Sequence, residues 1–458
     1  MKSVAFHNLG CKVNSYEIDV MQQRLQECGY KIVSFDDVAD IYIINTCTVT
    51  NIADRKSRQM IHRARKCNPD AVVVAVGCYV QTAGEQAWQD GTVDIAVGNN
   101  RKKDIVPIIE EFLQRGKRQA AMEGAVNPAA CEERCAVHRT VVDKIDINST
   151  QEYEEMRLAR TAGHTRAYIK IQDGCNQFCS YCIIPYARGR VRSRGEEEIL
   201  EEVRGIVAAG YREVVLTGIH ISSYGIDRGG PELLRLLTKL QEVEGLSRIR
   251  LGSLEPRIVT EEFARSLSGL PKICPHFHLS LQSGCDTVLE RMNRHYTAGE
   301  YFQTTEILRK YFRDPAITTD VITGFPGETE EEFRATEAFV RKVDFYEMHI
   351  FKYSRRQGTR AAAMEGQLTE AEKGRRSARL SKAEREMSRG YREKWMNREV
   401  EVLFEEKKRI EGQDYWVGHT PQYVKAARIA ARSDDALEGR IVRGTLGGFL
   451  MEDIMLLK

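Results

Sequence analysis

Three thiols crowd the stretch GCNQFCSYC, where Cys175, Cys179 and Cys182 fall within eight positions. Thiolates are the ligands of iron–sulfur clusters, and a 4Fe–4S cube normally takes four of them. Three thiolates leave one iron open to a substrate or cofactor. Zinc is the alternative, but a structural zinc ion closes its shell with four ligands. A second set is dispersed. Cys11, Cys47 and Cys78 each follow a short apolar run: SVAFHNL, IYIINT and AVVVAVG.

Runs of this kind, rich in Val and Ile, read as buried parallel strands. In an open parallel sheet the strand carboxyl ends share one edge, and ligands bind there. Thiols far apart in sequence can meet at that edge, so a second three-cysteine cluster is expected. Any one of them alone would read as a small buried residue. Cys28 and Cys67 sit on helical stretches and, like Cys274 and Cys285, are expected to be structural. CEERC holds Cys131 and Cys135, with only His138 as a further nearby ligand, and reads as a loop pair without an assigned role.

The positioning elements follow from the same patterns. Strand-like and helical segments alternate over residues 1–115, which predicts an open parallel α/β sheet domain. Residues 116–160 lose the periodicity and read as a linker. Alternation resumes with AYIKIQ, EVVLTGI, IRLGSL, FHLSLQS, ITTDVITGF and YEMHIFKY. Six such units predict an incomplete (β/α)6 barrel over residues 161–394, including a basic helical extension. Chemistry in barrels sits on the loops after the strands, and Cys175 follows the first of these. Residues 395–458 switch to alternating segments with Gly punctuation, which predicts a small antiparallel barrel.

A length of 458 residues suits two or three domains. No apolar run approaches the roughly 20 residues of a membrane span. The opening MKSVAFHNLGC lacks the apolar core of a signal peptide, so a cytoplasmic protein without membrane contact is expected. Structural disulfides are rare in that compartment, and clustered cysteines there point to metal or redox chemistry. Net charge is only +2, but residues 55–66 hold six Lys or Arg and no acid, and residues 373–398 hold ten against three Glu. Arg188, Arg190, Arg192 and Arg194 alternate after the cysteine cluster. One basic run is usually a solvated helix face; three raise the expectation of a polyanionic partner.

The Cys-x3-Cys-x2-Cys motif resembles the signature of the radical S-adenosylmethionine (SAM) superfamily. With LGCKVNSYE, NTCTVT, VGCYVQ, IIPYARGRVRSR, LTGIHISSYG, GSLEP, LSLQSG, TDVITGFPGET and KYSRRQGT, nearly the whole chain resembles the methylthiotransferase family. That resemblance implies two 4Fe–4S clusters, a radical SAM barrel and a C-terminal RNA-binding TRAM-like barrel. It implies that Cys175, Cys179 and Cys182 hold the SAM cluster and that Cys11, Cys47 and Cys78 hold the auxiliary one. One SAM would give a 5′-deoxyadenosyl radical, sulfur would come from the auxiliary cluster, and a second SAM would supply the methyl group. Thr217 and Gly218 resemble the segment meeting the methionine amino group. Ser253, Glu255, Gln282 and Asp320 end later strands as further candidate contacts to SAM, and His220 and Tyr224 are weaker candidates.

Within the family, Lys12-Val13-Asn14 after the first cysteine and IIPYARGRVRSR resemble the branch acting on N6-threonylcarbamoyladenosine in tRNA. The implied partners are that tRNA, a flavodoxin- or ferredoxin-type electron donor and a sulfur source. The alternatives are isopentenyladenosine tRNA, a ribosomal protein, or a two-cluster redox-sensing RNA-binding protein without radical chemistry. Tyr391, Trp395 and the basic helix around them suggest that RNA docks by stacking and phosphate contacts.

Overall fold

A computed structural model describes residues 1–123, 140–161, 165–430 and 437–458. CEERC and His138 lie outside the described residues. The chain divides into two compact units. The first joins Met1–Ala162 with Asp173–Asn176 and Ile183–Arg192; the second joins Gly163–Gln172, Gln177–Cys182 and Ser193–Lys458.

The first unit holds a six-stranded parallel sheet. Its strands are β1 (Ser3–Asn8), β2 (Lys31–Val33), β3 (Ile41–Thr46), β4 (Val72–Gly77), β5 (Ile95–Val97) and β6 (Val141–Asp143). Their spatial order is β2-β1-β3-β4-β5-β6. All six residues of β3 are buried, as expected for a central strand covered on both faces. The connecting helices are α1 (Lys12–Glu27), α2 (Asn51–Cys67), the short α3 (Cys78–Thr82) and α4 (Ile105–Glu123). Ile61 and Ala64 of α2 pack with Tyr42, Ile44, Val73 and Ala75 of the sheet. The order reverses between β1 and β3, because one neighbour of β1 comes before β3 in the chain and β3 lies on its other side. Such a switch point opens a crevice at the carboxyl ends of the strands.

The stretch 116–160 is not simply a linker. It carries the end of α4, and β6 pairs in parallel with β5 through Ile95–Val141 and Val97–Asp143.

The second unit begins with six parallel strands: β7 (Ala167–Lys170), β8 (Glu213–Thr217), β9 (Arg248–Leu251), β10 (His276–His278), β11 (Ala316–Thr323) and β12 (Glu347–Lys352). They form two three-stranded sheets, joined by the bridges Ile249–Ile273 and Leu254–Leu279. The six expected barrel segments are all present. The chain then enters a long helix, Glu370–Glu393, capped by Thr369, whose side chain accepts from Glu372 N–H. It ends in a closed five-stranded barrel of β13 (Glu399–Ile410), β14 (Gln413–His419), β15 (Lys425–Ile429), β16 (Ile441–Met451) and β17 (Ile454–Leu457).

This barrel shares a core with its neighbours. Ala316, Tyr346, Tyr391 and Trp395 pack with Val402, Phe404, Trp416, Leu446 and Met455. Tyr391 and Trp395 are 6% and 7% exposed, so they are core residues and not a stacking platform. The helix before them is neutralised rather than open. Arg376 pairs with Glu328, Arg379 with Glu330 and Glu337, and Arg392 with Glu347. Among the described residues, no helix is long and apolar enough to cross a membrane.

Candidate functional site

The sheet edge of the first unit brings the dispersed cysteines together. Cys11 is the N-cap of α1, Cys47 follows β3, and Cys78 opens α3 directly after β4. Gly77 makes that last turn with φ +99°, and a Cβ there would lie 2.6 Å from Asn45 Oδ1. A Cβ on Gly10 would lie 3.1 Å from Cys47 Sγ, which places the loop carrying Cys11 against Cys47. Burial pushes the Cys47 thiol up to about 12, and the Cys78 and Cys11 sulfurs act in the same direction. Burial of its sulfur also raises the Cys11 thiol; Arg188 opposes the rise and Cys78 adds to it. The residue as a whole keeps an exposed edge.

A cation can take the place of a thiol's proton. Three thiols at one crevice fit a cluster with an open iron.

The neighbourhood of Cys78 is charged and buried. Arg188, the last residue of the helix α5 (Ile184–Arg188), is fully buried. Its Nε lies 3.2 Å from Cys78 Sγ, and its other nitrogens reach Glu17, Asp173 and Asn14. Lys102 bonds to Glu17 and to Asn99. The four arginines after the cysteine cluster therefore do not form a basic stripe. Arg188, Arg192 and Arg194 are buried, Arg194 against Glu202, and only Arg190 is exposed.

Cys175, Cys179 and Cys182 lie on one loop that begins a few residues past β7. Its part in the second unit is braced by the segment 291–294. Ser180 N–H and Oγ donate to the carbonyls of Met292 and Arg291. Asn293 Nδ2 donates to the Phe178 carbonyl at 3.1 Å, and Phe178 itself has φ +47°. Arg294 Nη1 stands 3.2 Å from Cys179 Sγ.

The remaining candidates occupy strand ends of the second unit. Thr217 closes β8, and a Cβ on Gly218 would lie 2.9 Å from Gln172 Oε1. Ser253 is exposed, while Glu255 is nearly buried and paired with Arg257 at 2.6 Å. Gln282 adopts φ +71°, and its N–H donates to the Asp320 carbonyl. Burial lowers the His220 imidazole to about 4; Glu255 opposes this, while Arg294 and Arg257 reinforce it. It is therefore neutral near pH 7. Tyr224 is fully buried, donates to the Arg194 carbonyl and belongs to the core.

The sequence reading missed Arg188, Asn99 and Arg294 as neighbours of the cysteines. It also missed His278 and His349, which join Asp320 on the barrel wall with ligand atoms within 4.8 Å of one another.

Residues 169–340 match the Radical SAM superfamily, and residues 3–98 match a family described as uncharacterized protein family UPF0004. Among solved structures, the radical SAM methyltransferase TsrM from Kitasatospora setae superposes with a TM-score of 0.55 at 16% identity. It covers 79% of this chain and 74% of its own, a likeness of fold. Among curated proteins, the threonylcarbamoyladenosine tRNA methylthiotransferase MtaB of Bacillus subtilis (strain 168) is 40% identical over 97% of this chain and 93% of its own. Its namesake from Aquifex aeolicus (strain VF5) is 38% identical over 90% and 95%. The tRNA-2-methylthio-N(6)-dimethylallyladenosine synthase of Moorella thermoacetica is 35% identical over 95% and 93%. With the cysteine loop after β7 and this similarity along nearly its whole length, the chain belongs to the radical SAM tRNA methylthiotransferases.

Proposed function

We propose that this enzyme acts on tRNA carrying N6-threonylcarbamoyladenosine beside the anticodon and places a methylthio group on adenine C2. Three relatives bearing the threonylcarbamoyladenosine name, at 36–40% identity, support the choice of base. The observation that carries the chemistry is the meeting of Cys11, Cys47 and Cys78 at one sheet edge, in a chain that also bears the Cys175–Cys182 loop. Cys175, Cys179 and Cys182 would hold a 4Fe–4S cluster with SAM on its open iron, and the dispersed three would hold a second cluster.

When bound, the first cluster with SAM supplies a primary carbon radical, and the second supplies the sulfur. The target C–H bond is strong and has no acidic proton, so acid–base catalysis alone cannot open it. Thr217, Gly218, Ser253, Glu255, Gln282 and Asp320 would orient SAM at the strand ends. Arg294 holds Cys179 in place, and neutral His220 can share a hydrogen bond without repelling a cationic sulfonium. A second SAM gives the methyl group. Electrons would come from a flavodoxin- or ferredoxin-type donor, and a separate sulfur source would restore the cluster. The base must leave its stack, which costs least in a loop.

The test uses reconstituted enzyme, SAM, reductant and three substrates: tRNA with threonylcarbamoyladenosine, tRNA with isopentenyladenosine, and ribosomal small subunits. Methylthio product on the first alone is expected. Product on the second alone would transfer the enzyme to the sister branch, which the Moorella relative at 35% identity keeps in view. Product only on ribosomes would overturn the RNA substrate.

A further inference from the structure

Arg188 uses all five of its N–H donors without any access to solvent. Nε points at Cys78 Sγ, 3.2 Å away. Nη1 donates to Glu17 Oε1 at 2.5 Å and to Asp173 Oδ2 at 3.1 Å. Nη2 donates to Asn14 Oδ1 at 2.6 Å and to Glu17 Oε2 at 3.1 Å. Asn99 Nδ2 approaches the same sulfur at 3.5 Å and is fixed by the Ala187 carbonyl at 2.7 Å. Lys102 Nζ anchors the far side through Glu17 and Asn99.

Arg188, Lys102 and Arg192 meet the carboxylates of Glu17 and Asp173 in this network. Two N–H donors, Arg188 Nε and Asn99 Nδ2, converge from it on Cys78 Sγ.

We infer that Arg188, seconded by Asn99, is a positioning residue that orients the Cys78 sulfur as a ligand and raises the reduction potential of the cluster held by Cys11, Cys47 and Cys78. Hydrogen bonds and positive charge at a ligand sulfur stabilise the reduced cluster, which carries one more electron. The placement has a second meaning. Arg188 stands six residues after Cys182, so the segment that follows the SAM-cluster cysteines also sets the electronic state of the other site. The inference rests on the two-cluster reading, and the experiment separates the two.

The test starts from Cys175→Ala/Cys179→Ala/Cys182→Ala enzyme, reconstituted anaerobically, which isolates the second cluster. Iron content and an EPR-monitored redox titration are compared for Arg188, Arg188→Lys and Arg188→Met with Glu17→Gln. The double change removes the carboxylate that Arg188→Met would leave unpaired, so the fold has a way to survive. A midpoint potential that falls in both variants, because each loses the Nε–H···Sγ hydrogen bond to Cys78, with iron retained, is the expected result. Iron lost from Arg188→Lys while thermal unfolding is unchanged also supports a role in holding the ligand. An unchanged midpoint with full iron in both variants overturns the inference. Absence of iron from the parent triple variant instead defeats the two-cluster reading.

Discussion

Arg250 directs Nε to Glu213 Oε1 at 2.8 Å, and neither side chain reaches solvent. The same guanidinium donates to the carbonyls of Thr420 and Pro421 in the C-terminal barrel. Arg248 donates to the Glu401 and His419 carbonyls, and Arg166 pairs with Glu405. His276 stacks on Tyr423 at 4.5 Å. The small barrel is thus bound to the partial barrel through buried charge. Replacing Arg250 by Met leaves Glu213 with a weaker set of partners. A loss of about 3–5 kcal/mol in urea unfolding is expected. Adding Glu213→Leu should recover a large part of it. Truncation after residue 394 should lower the unfolding temperature, and so reduce SAM cleavage by loss of fold, before any effect on RNA is seen.

Iron counting separates the two cysteine sets. Reconstituted enzyme should carry about eight irons per chain, from two cubes of four. Alanine at Cys175, Cys179 and Cys182 should halve the iron and abolish SAM cleavage. Alanine at Cys11, Cys47 and Cys78 should also halve it, yet leave formation of 5′-deoxyadenosine measurable. Full iron in that second variant would show that the sheet-edge thiols hold none.

Gly174, just before Cys175, has φ +73°, and a Cβ there would fall 1.8 Å from the Arg190 carbonyl oxygen. No side chain fits that gap without moving the backbone. Gly174→Ala should therefore bleach the SAM cluster, read as lost cleavage and about four irons fewer. Gly29, also at positive φ but with open space around it, is the control, and Gly29→Ala should keep all its iron.

Glu332 links the cysteine loop to pH. Its hydrogen bonds from Arg291 hold the carboxyl down at about 2 against burial, which opposes them; Thr287 and the Thr329 N–H assist. The folded-state value lies below the unfolded one. The stabilisation is complete above the unfolded value near 4.5 and is lost as pH falls from there through 2. After discounting for solvent screening of this partly exposed pair, Glu332→Gln should cost about 1 kcal/mol at pH 7. The gap from wild type should narrow below pH 4.5, measured by urea unfolding of cluster-free protein. Arg291, more weakly held in this variant, also carries the carbonyl that takes Ser180 Oγ, so reconstitution of the SAM cluster should slow.

The meeting of Cys11, Cys47 and Cys78 at one sheet edge was legible because each follows an apolar strand, and strand ends share an edge whatever their distance in sequence. The six barrel strands were legible for the same reason. β6 was not: it is three residues long, only partly buried and without periodicity. The arginines misled because a basic run shows no sign of its neutralising partners. Glu17 lies 171 positions from Arg188, and folding alone brings them together. Tyr391 and Trp395 misled in the same way. An aromatic pair beside a basic helix fits a nucleic-acid surface or a core boundary equally well, and burial decides for the core.

The clasp at the base of the partial barrel also constrains how this chain can diverge. Arg166, Arg248, Arg250 and Glu213 on one side answer Glu405, His419 and the carbonyls of Thr420 and Pro421 on the other. A substitution at one of these side chains is expected to need a matching change in its partner, within one side of the clasp or across it. The C-terminal barrel is therefore not an exchangeable cassette. A chimera that borrows it from a distant relative is expected to be less stable unless it carries both halves of the clasp.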